Sequence, residues 1–328
     1  MNITMSKKNN SEIPYISNFC IIVFCHKKDF FLAKILVASI RYYYPTIEIY
    51  LCKDLLGGNF KTKEMEMFWN VNILDLGIDK FGWSAAKMHF YLSDKLRGQK
   101  ALLLDSDIVF TGRVLDRLIP LAMENDVVVS HEYHKANEGT WLKKQYYDID
   151  IVQKMHPDFK LPGYYFNCGQ LIARSELFKQ DEVKEVFDAN NFPFWLNRRD
   201  FPLVDQGVLN YLLPYKEQKN EIKIAKNVYY IWIDTDLAKQ MDFNGVIEGE
   251  KYPYMIHWAG NERIPYIYGM IRGDILTFFQ NYYYQKIPFA FCKKYPPLFF
   301  GGLDFFVRST YRWFRKKYKM MKTKQFIT

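Results

Sequence analysis

Residues 101–110 read Ala-Leu-Leu-Leu-Asp-Ser-Asp-Ile-Val-Phe, so an apolar run leads straight into two carboxylates one residue apart, Asp105 and Asp107. A buried strand has no use for charge. The pair therefore belongs just past the strand's C-terminal end, where open α/β sheets place their ligands. Carboxylates this close repel unless a cation lies between them. A hard divalent ion, Mg²⁺ or Mn²⁺, suits oxygen ligands and tolerates bridging phosphates. A solvated Asp-rich turn is the duller reading, and the tripeptide alone does not choose between the two.

Three later segments carry residues of the same kind: Phe166-Asn167-Cys168-Gly169, Val204-Asp205-Gln206-Gly207, and His257-Trp258-Ala259-Gly260-Asn261-Glu262-Arg263. A lone His at a strand end is usually just hydrogen-bonded there. Asp205 stands where a helix begins, a place that favours an acid whatever its chemistry.

Alternating elements would position these residues. Strands are expected at 19–25, 47–52, 71–76, 101–104, 127–130, 164–173, 222–225, 229–233 and 254–257. Helices are expected at 30–44, 84–96, 113–123, 175–189 (capped by Ser175) and 204–213, the last ended by Pro214. That alternation predicts a mostly parallel α/β sheet. Residues 131–163 look polar and weakly periodic, a connection long enough to be functional.

The chain has 328 residues, 18% of them aromatic, and a net charge of +9. The charge is uneven: eleven Lys and Arg from Lys286 onward meet one acid, Asp304, which leaves the remaining chain at about −1. A neutral body with a basic tail excludes a protein that is basic throughout. The five cysteines form no Cys-x-x-Cys pair, so a reduced, cytoplasmic compartment is expected. The apolar run at 19–25 is too short for a signal-peptide core or a membrane span. Three parts follow: a polar extension (1–18), a catalytic domain (19–270) and a basic, aromatic C-terminal segment (271–328).

In order and approximate spacing, the four motifs resemble those of glycosyltransferase family 8, the retaining sugar-nucleotide transferases that include bacterial lipopolysaccharide galactosyl- and glucosyltransferases. The likeness spans roughly residues 19–265. It implies a glycosyltransferase A-type α/β fold, Rossmann-like, with a mixed, mostly parallel sheet flanked by helices, and a helical tail. It further implies Mn²⁺ (or Mg²⁺) on Asp105, Asp107 and His257, bridging the diphosphate of a nucleotide sugar, a UDP-sugar by analogy. Donor contacts fall on Val23, Phe24, Cys25, His26, Lys87, Asp105, Ser106, Asp107, Asn167, Asp205, Gln206, Gly260 and Arg263. Gln206, Asp205 and Asn167 are the expected catalytic residues. A carboxamide is a poor nucleophile, so front-face return fits Gln206 best, with the leaving phosphate deprotonating the acceptor. Gly207 departs from the acidic residue common after the Asp-Gln pair, and Arg263 replaces a Lys.

The expected acceptor is a saccharide of a lipopolysaccharide, capsule or other glycolipid, with Tyr133, His134, Trp141 and Tyr164 forming part of its wall. Twelve aromatic residues interleave with the eleven basic ones after residue 285, a mixture suited to an anionic membrane surface. Peripheral attachment to the inner face of the membrane is therefore expected, and nucleic acid is not. Three alternatives stay open: an inverting transferase with Asp148, Asp150 or Asp205 as base, a metal-dependent phosphoryl-transfer enzyme, and a non-catalytic sugar-nucleotide-binding module.

Overall fold

A computed structural model describes residues 18–82, 84–132, 139–260, 267–295, 302–303, 306–307 and 309–314. Its strands are β1 (Phe19–His26), β2 (Glu48–Asp54), β3 (Val71–Ile73), β4 (Lys100–Asp105), β5 (Ile108–Phe110), β6 (Val127–Glu132), β7 (Tyr165–Ala173), β8 (Ile224–Asn227), β9 (Tyr230–Trp232) and β10 (Met255–His257). Its helices are α1 (Phe30–Tyr43), α2 (Lys63–Trp69), α3 (Ala85–Leu92), α4 (Leu115–Glu124), α5 (Gly139–Gln145), α6 (Ile149–Met155), α7 (Gln180–Val183), α8 (Asp205–Gln218), α9 (Asp236–Gln240), α10 (Phe243–Glu248) and α11 (Gly273–Gln285).

Seven strands form the main sheet in the order β3-β2-β1-β4-β7-β6-β8. All run parallel except β7, which is antiparallel to both β4 and β6. The C-terminal ends of β1, β2, β4 and β6 thus share one edge. Alternation along β1 explains the layering. Phe19, Ile21, Val23 and Cys25 pack into a core with α1, α2, α4 and α11, while Cys20 and Ile22 pack into a second core with α3 and α8. A smaller sheet, β5-β10-β9, leans on the first core.

Several expected elements came out differently. The 175–189 helix is reduced to α7, because tertiary bonds hold its first residues in place: Glu176 N donates to Ser93 O, and Arg97 forks onto the Glu176 carboxylate. Glu176 also has a φ of 54°, which a helix does not allow. Pro214 does not stop α8, which runs on to Gln218. Losing one helical hydrogen bond to proline costs about 3 kcal/mol. Tyr211, Leu213 and Tyr215 are buried along the same helix, and each such side chain returns about 1.5–3 kcal/mol. Within 131–163 the described residues include α5 and α6, anchored by buried Leu142, Tyr146, Tyr147 and Val152.

Inside the C-terminal segment, α11 packs on the body. Phe279 and Tyr283 are buried, and Tyr283 stacks on Trp69 with centroids 5.1 Å apart. Past Ile287 the described apolar residues turn outward, with Phe289 83%, Phe291 73% and Phe306 69% exposed. Among the described residues, no helix is long and apolar enough to cross a membrane.

Candidate functional site

The C-terminal edge of the main sheet opens into a cleft of about 700 Å³. β4 delivers Asp105 to its floor, and the turn Ser106-Asp107 carries the chain out of the main sheet into β5 of the small one. β10 pairs with β5 so that His257 lies opposite Ile108, and Trp258 N donates to Asp107 O at 3.0 Å. This register brings His257 Nε2 within 3.2 Å of Asp107 Oδ1 and 4.0 Å of Asp105 Oδ2. One ligand atom from each of the three residues lies within 4.8 Å of the others. Two carboxylate oxygens and an imidazole nitrogen suit Mn²⁺ or Mg²⁺, so the site fits a divalent ion.

Gly169 makes that convergence possible. β7 pairs with β4 through Gln170 and Leu104, which sets Gly169 beside Asp105. A Cβ on Gly169 would overlap His257 Cε1 and come within 2.7 Å of Asn167 Oδ1 and 3.0 Å of Asp105 Oδ2. The glycine of the Phe-Asn-x-Gly segment is thus required by space.

Lys87 stands behind the cleft wall, which corrects the expectation of a direct donor contact. It is buried, and its ammonium donates to Asp105 Oδ1 and Cys168 O, both at 2.6 Å. Burial works against its charge, but Asp105 and Asp205 outweigh that and hold its pKa above the ordinary lysine range. Its effect on a donor therefore passes through Asp105.

At the other wall, α8 is preceded by Val204, a β-branched residue with φ 46°. Such a conformation costs of order 1–3 kcal/mol and is kept where the surroundings demand it. It presents Asp205 and Gln206 to the cleft. Asn167 Nδ2 donates to Gln206 Oε1 at 2.9 Å. Burial pushes the Asp205 carboxyl up to about 7; Lys87 opposes the shift and Asp105 adds to it. Gly207 has its own steric reason, since a Cβ there would overlap the carbonyl oxygen of Tyr146. The end of α5, with Trp141 and Gln145, consequently lies against the cleft.

Of the expected donor contacts, Phe24, Cys25, His26, Ser106, Asn167, Asp205, Gln206 and Gly260 line the cleft. Val23 does not, because strand alternation turns it into the core. Arg263, Tyr133 and His134 lie outside the described residues. Trp141 lines the cleft, whereas Tyr164 is buried beside Phe166 with its hydroxyl on Glu217, so it is no part of the wall. Asp148 caps α6 and pairs with Lys143, and neither it nor Asp150 lines the cleft. Sequence reasoning missed Glu132, Trp232 and Asp54, which do. The ends of β2 and β6 were the available signal for Asp54 and Glu132.

Cys25, Cys52 and Cys168 also line the cleft, and burial raises each thiol's pKa, so they behave as inert packing groups.

A mixed, mostly parallel α/β sheet flanked by helices, with its cleft at the C-terminal edge of the parallel strands, is the architecture of the A-type glycosyltransferases. The sequence model of glycosyl transferase family 8 matches residues 22–263, and this chain belongs to that family. Two solved structures show the same fold. One is the bifunctional glycosyltransferase WbbM in its apo form, with 14% identity, 86% of this chain and 52% of that one covered, and a TM-score of 0.54. The other is the galactosyltransferase LgtC in complex with donor and acceptor sugar analogues, with 16% identity, 84% and 99% covered, and a TM-score of 0.50. The chain thus spans about half the length of WbbM and nearly all of LgtC. No curated protein matches the sequence.

Proposed function

We propose that this glycosyltransferase moves a hexose from a nucleoside-diphosphate sugar, a UDP-sugar by preference, to a saccharide of a lipopolysaccharide, capsule or other glycolipid, with retention. The observation that carries the reading is the meeting of Asp105, Asp107 and His257 on the cleft floor, beside a Gln206 held by Asn167. Bound Mn²⁺ or Mg²⁺ would screen the diphosphate and stabilise the charge on the departing nucleotide.

The chain's own groups divide the remaining work. Phe24, Cys25 and His26 form the end that receives the nucleotide, and Gly260 and Arg263 serve the diphosphate. Lys87 fixes one oxygen of Asp105 and leaves the other facing His257. Asp205, poised near neutrality, exchanges hydrogen bonds with donor-sugar hydroxyls. The Gln206 oxygen stabilises positive charge at the anomeric carbon, and the departing phosphate takes the acceptor's proton on the same face. Inversion would instead need a carboxylate base; of Asp148, Asp150 and Asp205, only Asp205 lines the cleft.

Turnover of a panel of UDP- and GDP-sugars, with and without Mn²⁺, tests the reading in wild type and Asp107→Ala. Mn²⁺-dependent transfer that disappears in Asp107→Ala is expected, with the product's anomeric configuration read by NMR. Metal-independent turnover, or an active Asp107→Ala, would refute it.

The reading places the enzyme in the cytoplasm, peripheral to the inner membrane face. Support comes from the outward-facing aromatic residues after Ile287 and the basic residues among them. Deleting residues 303–328 should release the protein from anionic vesicles and spare donor hydrolysis. Unchanged vesicle binding would sink this part.

A further inference from the structure

A metal-binding histidine almost always donates its second ring N–H to a carboxylate, carbonyl or water, and that bond fixes its tautomer and plane. His257 is arranged otherwise. Nε2 faces the two aspartates, while Nδ1 is buried and has no hydrogen-bond partner among the described residues. Its ring lies flat on the Trp232 indole instead, with centroids 5.1 Å apart and planes 11° apart. The parallel pairing of β9 and β10 sets Trp232 directly beside His257, so register imposes the stack.

The indole is itself pinned. Trp232 Nε1 donates to Glu132 Oε1 at 2.9 Å, and Tyr230 OH donates to the same oxygen. Glu132 is the last residue of β6, so this carboxylate ties the small sheet to the main one. With both donors on one oxygen, the indole has little freedom to swing out of the plane that His257 needs.

We propose that Glu132 and Trp232 are positioning residues for His257, doing through a pinned aromatic plate what a hydrogen bond to the second ring nitrogen usually does. Glu132 sets the indole, and the indole sets the imidazole, so that Nε2 stays aimed between Asp105 and Asp107. This rests on the reading of those three residues as a cation site. It goes beyond that reading by assigning the site's geometry to two residues that supply no ligand atom.

The test uses the full chain and Mn²⁺ alone, with affinity measured by titration calorimetry and by the electron-spin-resonance signal of free Mn²⁺. Circular dichroism and Tm establish folding. Trp232→Leu and Glu132→Ala should each weaken Mn²⁺ binding by about 10–100-fold, the usual effect of removing such a supporting group. Trp232→Phe, which restores a flat ring, should recover part of the loss. Glu132→Gln keeps an oxygen that accepts the indole N–H and should bind Mn²⁺ more tightly than Glu132→Ala.

Folded Trp232→Leu and Glu132→Ala proteins that bind Mn²⁺ as wild type does would overturn the positioning role and leave the cation site standing. A lowered Tm with unchanged Mn²⁺ affinity, or an effect confined to the acceptor KM, would overturn it too. Wild-type binding that Asp107→Ala leaves intact would remove the cation site itself and the inference with it.

Discussion

Asn167 holds Gln206 in place through one hydrogen bond, Nδ2 to Oε1 at 2.9 Å, and is itself held by Gly169 N donating to its Oδ1 at 2.8 Å. The orientation of the Gln206 amide is therefore settled: its oxygen faces Asn167, and its nitrogen points the other way. A carbonyl oxygen has two lone pairs, so Oε1 can accept this bond and still face developing positive charge.

Asn167→Ala removes that bond and lets the amide turn. Loss of such alignment should lower kcat by about 10–100-fold. Mn²⁺ affinity and donor KM should change much less, since the cation's ligands are elsewhere. Steady-state kinetics with the best donor from the panel decides this, and an unchanged kcat would mean that Gln206 needs no orienting partner.

Gly169→Ala inserts one methyl group between His257, Asn167 and Asp105. Overpacking of this kind typically costs about 1–3 kcal/mol. A lower Tm should come with weaker Mn²⁺ binding, because the groups forced to move include two of the three expected ligands. If calorimetry finds the affinity intact, His257 and Asp105 have room that the structure does not show.

Gly207→Ala strikes the Tyr146 carbonyl and should push the end of α5 away from the cleft. The expected signature is a raised acceptor KM with donor hydrolysis kept, since Trp141 and Gln145 ride on that helix. Equal losses in hydrolysis and transfer would mean that the displaced wall serves the donor.

Asp205 gives a pH dependence with a definite sign. Its carboxyl titrates near 7 in the folded chain, against about 3.9 when unfolded. Between those values the folded state holds a proton that the unfolded state has lost, so stability from this group falls as pH rises from about 4 to 7. Asp205→Asn removes the penalty. Allowing for partial solvent access, it should stabilise the metal-free protein by about 2 kcal/mol at pH 8 and by little at pH 4. Denaturant unfolding at both pH values checks this. The same variant should lose transfer activity, so stability and function would separate at one residue.

Much of the site was legible because its chemistry sits at strand ends. An apolar run that meets Asp105 and Asp107 announces its own edge, and His257 closes a short strand in the same manner. Other parts depend on which strands become neighbours, which no local pattern states. Glu132 and Trp232 meet because β6 and β9 belong to different sheets that happen to abut, and the close approaches at Gly169 and Gly207 arise from residues far away in the chain. Lys87 counts among the expected donor contacts, yet burial makes it the partner of Asp105. The missing helix after Ser175 failed for a related reason. Bonds to the end of α3 outweighed local helical preference there, just as packing carried α8 past Pro214.

The turn at Ser106 has a mechanical consequence. Asp105 ends a strand of the large sheet, whereas Asp107 and His257 flank the small one, and those two residues are 150 positions apart in sequence. A cation held by all three would act as a rivet through two plates and would close a long loop, a kind of crosslink that removes much chain entropy. An ion held there would therefore clamp the seam between the sheets. The Asp-Ser-Asp turn is the place where the chain itself crosses that seam, from β4 of the large sheet to β5 of the small one.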